Sequence, residues 1–148
     1  MRKKGFTLFE VLLVISIFLL VLSIGFLGVS RYYDYYTFAG EVNELVDDLH
    51  YAKQMSVAQQ INHGIVFDYE DNRYFLTRDE NGEDYVIKEK IFSPNINLSS
   101  DENYPEARFT LFGAVFRSGL VIVESEQQKR IINIKPSGFI HVKRSDVN

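Results

Sequence analysis

The first part of the chain is apolar almost without relief. Val11 to Val29 is a run of 19 residues with no charge and no proline, broken only by Ser16, Ser23, Gly25 and Gly28. Wound as a helix, Phe6 to Val29 spans roughly 36 Å, enough to cross a bilayer. Beyond it the period becomes helical. Phe38, Val42, Leu45, Leu49, Ala52 and Ser56 follow one another at steps of 4, 3, 4, 3 and 4, which puts them on one narrow stripe. Glu41, Glu44, Asp47 and Asp48 fall off it. With no proline between Phe6 and Gln60, the pattern predicts one helix of about 50–55 residues, apolar all round in its first half and amphipathic in its second. Gly25, Gly28 and Gly40 are its weak points. Val46, Tyr51, Met55 and Val57 are apolar but off the stripe, where some of them would face neighbouring molecules.

From His63 the period changes again. "HGIVFDY", "RYFLTR", "YVIKEKIF", "ARFTLF", "GLVIVE", "RIINIK" and "FIHVKR" are short, rich in β-branched and aromatic residues, and partly alternating, as strands are. Glu70-Asp71-Asn72, Asn81-Gly82 and Lys135-Pro136-Ser137-Gly138 are turn signals between them. Ile65, Phe67 and Tyr69 share one face of the first strand, and Tyr74 and Leu76 one face of the second. Ser93 to Pro105 is polar and predicts a surface loop. The reading is an α+β fold: a long N-terminal helix whose second half packs on an antiparallel β-sheet.

Composition sharpens this picture in two places. The 148 residues include no Cys, which excludes disulfides, thiolate metal sites and cysteine nucleophiles. Arg2, Lys3 and Lys4 precede the apolar run, and only Arg31 follows it before Lys53. That asymmetry predicts a single span with its N-terminus in the cytoplasm. Without the first five residues the 16 Lys and Arg fall to 13 against 20 Asp and Glu. A body this acidic argues against broad non-specific nucleic-acid binding. Tyr32, Tyr33, Tyr35, Tyr36 and Phe38 cluster where the helix would leave the bilayer, either as an interfacial belt or as rings packed on the domain.

One acid interrupts the apolar segment. A charge at the centre of a span costs about 2.5–3.5 kcal/mol, less near an edge, so Glu10 calls for a partner. An ordinary secretory signal would have a shorter apolar region and no such acid. A plain membrane anchor, or an edge acid that snorkels, is the other bland reading.

Lys4-Gly5-Phe6-Thr7-Leu8-Phe9-Glu10 followed by a long apolar helix resembles the processing site of type IV pilins and pseudopilins. The common pattern has Leu where this chain has Phe9. The resemblance implies cleavage after Gly5 by a membrane prepilin peptidase and N-methylation of the new N-terminal Phe6. Glu10 would then meet a positive amine. The amine of Phe6 lies one helical turn away in the same chain, and an adjacent subunit in a filament would offer the same group. An unpaired charge at low dielectric costs several kcal/mol, so Gly5 and Phe6 would carry processing, and Phe6 and Glu10 assembly. Further along, "YAKQMSVAQQ", "IVFDY" and "YFL", with "IINIKPSGFIHVKR" at the end, resemble FimT/GspH-like minor pilins and in particular the D-type pseudopilin of Gram-positive competence systems. The expected division is a cleaved leader over 1–5, a transmembrane and assembly helix over 6–30, an amphipathic helix over 31–62 and an antiparallel β-sheet domain over 63–148. Implied partners are the prepilin peptidase, other major and minor pseudopilins and the membrane. The implied place is the cell membrane, and the cell surface after assembly into a filament for DNA uptake. A secretion-type pseudopilin and a DNA-binding tip subunit are the alternatives.

Sites for chemistry are sparse. His50, His63 and His141 stand alone, without metal-ligand spacing, and no phosphate-binding, dinucleotide or nucleophile-elbow motif occurs. No enzymatic activity, cofactor or metal is expected. "DENGED" (79–84) has the acids and glycine of a Ca²⁺ loop but not its full spacing, and Asn-Gly reads as a hairpin turn. Lys129, Arg130, Lys135, Lys143 and Arg144 are expected to form a basic C-terminal sheet edge. The resemblance makes DNA contact there a possibility, while edge strands also carry Lys and Arg simply to block aggregation.

Overall fold

The computed structural model describes residues 7–101 and 103–145, and the side chains of all of these except 24–32. Its first element is one helix, α1, Leu8–Gln59, of 52 residues, matching the expected length. Two compact units divide the chain between Thr37 and Phe38. In the second unit the stripe of α1 is buried as its spacing requires: Phe38, Val42, Leu45, Leu49, Ala52 and Ser56 are all at most 3% exposed. Val46 is half-buried against the same core, while Tyr51 and Val57 are exposed.

Among the described residues eight strands follow: β1 His63–Asp68, β2 Arg73–Glu80, β3 Glu83–Ile91, β4 Ile96–Ser100, β5 Glu106–Phe109, β6 Gly119–Ser125, β7 Lys129–Ile134 and β8 Ile140–Ser145. They form two four-stranded sheets, in the orders β3-β2-β1-β5 and β4-β6-β7-β8, with every pairing antiparallel. The sequence reading had a single sheet. Period-2 patterning says which residues face inward, but strand partners are chosen by long-range contacts it does not encode. Ile65, Phe67, Tyr74 and Leu76 face the core with Ala107, Phe109, Val121, Val123, Ile132 and Ile134. The turn at Asn81-Gly82 takes φ of 60° and 89°, the left-handed pair that closes a two-residue hairpin.

Two expectations fail. Ser93 to Pro105 is not all loop: it contains β4, which pairs with β6 from Ile96 opposite Ser125 to Ser100 opposite Val121. Ile96 and Leu98 are buried at 1% and 2%. Their alternation is only two residues long, too short to stand out beside Asn and Ser. Tyr104 in the following loop is also buried, and its hydroxyl donates to the Arg117 carbonyl at 2.8 Å. In the other direction, "ARFTLF" supplies only a short strand. β5 ends at Phe109, the chain turns through Thr110–Gly113, and Phe112 is 92% exposed.

The acids beside the stripe also do more than solvate the helix. Glu41 accepts from the Ser93 backbone N–H and hydroxyl, at 3.1 and 2.6 Å. Glu44 bridges Lys88 and Lys90, both at 2.8 Å. Asp48 accepts from the Tyr74 hydroxyl at 2.6 Å and from Lys88 at 2.7 Å. These contacts tie α1 to β2, β3 and the segment after it. They hold the Glu44 carboxyl below its ordinary value through its hydrogen bonds to Lys88 and Lys90. Burial, followed by the bond to Asp48, pushes the Tyr74 phenol up. Only Asp47 of the four acids is exposed.

Candidate functional site

The N-terminal site begins at the first helical turn. Gly5 and Phe6 lie outside the described residues, so the expected processing site is assessed from Thr7 onward. Thr7 is the N-cap of α1. The Glu10 N–H donates to Thr7 Oγ1 at 3.3 Å, and the Thr7 N–H donates to Glu10 Oε2 at 3.5 Å. This is a capping box, in which a Thr and a Glu three residues on satisfy each other's backbone donors. The Thr-x-x-Glu spacing that marks this cap is legible in the sequence, where Glu10 stands out first as a charge in an apolar run. The carboxylate also sits at the positive end of the helix dipole. The acid therefore has a local partner before any neighbouring molecule is present, and keeps one oxygen outside the capping bond.

Beyond the cap, the described side chains from Leu8 to Leu22 include a continuous set of exposed apolar residues. Among the described residues no helix is long and apolar enough to cross a membrane. In the sequence the uncharged run continues to Val29, but the side chains of 24–32 lie outside the described residues. Tyr33 and Tyr36 are exposed at 73% and 67%. Phe38, grouped with them in the sequence, belongs to the core.

The expected basic edge does not gather as one patch. β8 is the edge strand, and Arg130 lies opposite Arg144, Ile131 opposite Lys143, and Asn133 opposite His141. Opposed residues share a face. Ile132 and Ile134 are buried, so Arg130 and Arg144 are on the core side, while Lys129, Lys143 and His141 are on the outer side. Arg130 sits over the Phe38 ring at 5.7 Å, Lys129 pairs with Glu124 at 3.1 Å, and Lys135 lies beside Phe139 at 5.6 Å. The two-residue strand period splits the five cations that proximity in sequence had grouped.

The other candidates resolve locally. The acidic hairpin at 79–84 is closed by Asp79 Oδ1 accepting from the Gly82 N–H at 2.9 Å. Arg108 from β5 reaches both oxygens of Asp84, at 2.7 and 2.6 Å, so the acids face a cation of the chain itself. His50 and His141 are exposed, and His63 is buried with Nδ1 2.8 Å from the Ile61 carbonyl. Among the described residues no group of His, Cys, Asp or Glu could hold a metal.

The described architecture is a long helix whose second half packs on two antiparallel sheets. Residues 1–26 match the family model described as the prokaryotic N-terminal methylation motif. The fold is that of minor pilins and pseudopilins. The chain resembles the minor pseudopilin EpsH from the type 2 secretion system of Vibrio cholerae at a TM-score of 0.61 and 8% identity, over 70% of this chain and 94% of that one. It resembles the type IV minor pilin FimU of Pseudomonas aeruginosa at a TM-score of 0.57 and 15% identity, over 72% and 90%. No curated protein sequence matches the chain.

Proposed function

We propose that this chain is a minor pseudopilin: a structural, non-catalytic subunit, anchored by its apolar helix, cleaved after Gly5 by a prepilin peptidase and methylated at Phe6. The observation that carries this is the junction of a methylation motif over residues 1–26 with a minor-pilin fold in the same chain. The basic leader supports a cytoplasmic N-terminus. Glu10 is the assembly acid. It caps its own helix and, in a filament, meets the Phe6 amine of its own or an adjacent subunit, so that a misregistered subunit leaves a charge unpaired. Partners are then other major and minor pseudopilins at the cell surface.

Within this class we favour a competence-type filament serving DNA uptake, on the resemblance of the helix-to-sheet junction and C-terminal strands to the D-type pseudopilin. The EpsH-like fold supports a secretion-type filament as the alternative. Direct DNA contact through Lys129, Arg130, Lys135, Lys143 and Arg144 is the less favoured reading, because phosphate affinity needs clustered cations and these lie on two faces. Intact mass and N-terminal sequencing of the protein from native membranes test the proposal. A chain beginning at methylated Phe6, together with an uncleaved Gly5→Val precursor, is the expected result. An N-terminus at Met1 or near Ser30 would overturn it.

A further inference from the structure

Three phenylalanines are exposed at the end of the domain where α1 terminates: Phe112 at 92%, Phe116 at 64% and Phe139 at 57%. They stand on two turns that are locked together. The Val115 N–H donates to the Pro136 carbonyl at 3.1 Å. Gly138 sits so close to the Gly113 carbonyl that a Cβ there would lie 1.9 Å from its oxygen. Lys53 of α1 fixes the pair by donating to the Gly138 carbonyl at 2.9 Å. The rings are therefore presented on a preformed support, beside a groove of about 420 Å³ lined by His50, Lys53, Gln54, Val57 and Ala58.

The cations around these rings differ from those of the first sheet. In the first sheet every Lys and Arg, namely Arg73, Arg78, Lys88, Lys90 and Arg108, pairs with a carboxylate. Lys53, Arg117 and Lys135 pair with none among the described residues, in a chain of net charge −4. One acid, Asp101, lines the adjoining polar groove with Ser118, Asn133 and Lys135. An apolar centre rimmed by cations without carboxylate partners complements an acidic, apolar surface. Three such cations beside Asp101 would neutralise few phosphates. Burial of three phenyl rings has to supply most of the affinity, which favours a protein occupant over a nucleic acid.

We propose that the Phe112–Phe116–Phe139 pole, with Arg117 and Lys135, is a docking surface for an acidic, apolar face of a different subunit of the same filament. This rests on the proposed function for the nature of the partner. The test places a photo-cross-linking residue at Phe139, at Phe112 or, as control, at exposed Ile91 of β3, in the full-length chain in its native membrane. The expected result is one protein adduct from positions 112 and 139 and none from 91, with the cross-linked peptide carrying Asp or Glu. Arg117→Glu with Lys135→Glu should lower the adduct yield roughly tenfold, the effect of two weakened rim ion pairs. Reversing the partner's acid to Lys should restore it. If the double variant loses its native circular dichroism, Arg117→Glu alone is used. Adducts only to a second copy, to nucleic acid or to lipid, equal yields at 91, or failure of the charge swap would each overturn the inference. A chain trimmed at Gly5 and present in filaments without the adduct defeats only this inference, whereas an untrimmed chain defeats the functional reading beneath it.

Discussion

Replacing Asp48 by alanine should destabilise the domain by about 2 kcal/mol, while the same change at Asp47 should be neutral or slightly stabilising. Both are acids off the apolar stripe of one helix. Asp47 is exposed, and Ala gains about half a kcal/mol of helix propensity there. Asp48 accepts the Tyr74 hydroxyl at 2.6 Å, and Tyr74 is 0% exposed. Its phenol would be left without a partner, at about 1–3 kcal/mol. Lys88 would also lose Asp48 at 2.7 Å, but it keeps Glu44, and its side chain is 35% exposed. Solvent screening therefore holds that share to less than about 1 kcal/mol. Subtracting the propensity gain leaves about 2 kcal/mol. The assay is urea unfolding of the full chain in detergent micelles, followed by circular dichroism, for Asp48→Ala, Asp47→Ala, Tyr74→Phe and the Asp48→Ala/Tyr74→Phe double variant. The hydroxyl bond should appear as a coupling of about 1–2 kcal/mol between the two sites. If Asp48→Ala lies within about 0.5 kcal/mol of Asp47→Ala, or if Asp48 and Tyr74 are additive, the clamp does not hold the helix as described.

Three further outcomes are expected. Because Lys88 and Lys90 depress the Glu44 pKa below its ordinary 4.5, its contribution is fully present above that value and is lost as pH falls through the lower folded value. Urea midpoints measured through the acid range should show a decline that Glu44→Gln flattens, and an unchanged slope in that variant would remove the linkage. Gly138→Ala should cost more than about 2 kcal/mol, from a positive φ of 70° and the clash with the Gly113 carbonyl, while Ser137→Ala stays near wild type in thermal unfolding. Glu10→Gln keeps a capping side chain but not the charge. It should preserve helix content yet incorporate poorly into filaments, as Glu10→Ala should, and normal incorporation of the Gln variant would show that capping, not charge pairing, is what the acid supplies.

Where a residue's environment follows from its neighbours along the chain, the sequence settled it. The stripe from Phe38 to Ser56 is buried because helical periodicity alone places those six on one face. The Asn81-Gly82 hairpin formed because only a residue pair tolerant of positive φ closes so tight a turn. The first-turn acid stood out because a charge in an apolar run has few bland explanations. The tertiary structure decided the rest. It divided the strands into two sheets, drew Ile96 and Leu98 into the core from an apparent loop, and left Phe112 in solvent where a strand had been expected. It gave Glu44 and Asp48 partners some 40 residues away in sequence, and it divided Arg130 and Arg144 from Lys129 and Lys143. It also brought Phe112 beside Phe139 by closing Gly138 onto Gly113. Local spacing fixes which way a side chain points from its own backbone. What it meets there depends on segments brought close by long-range packing.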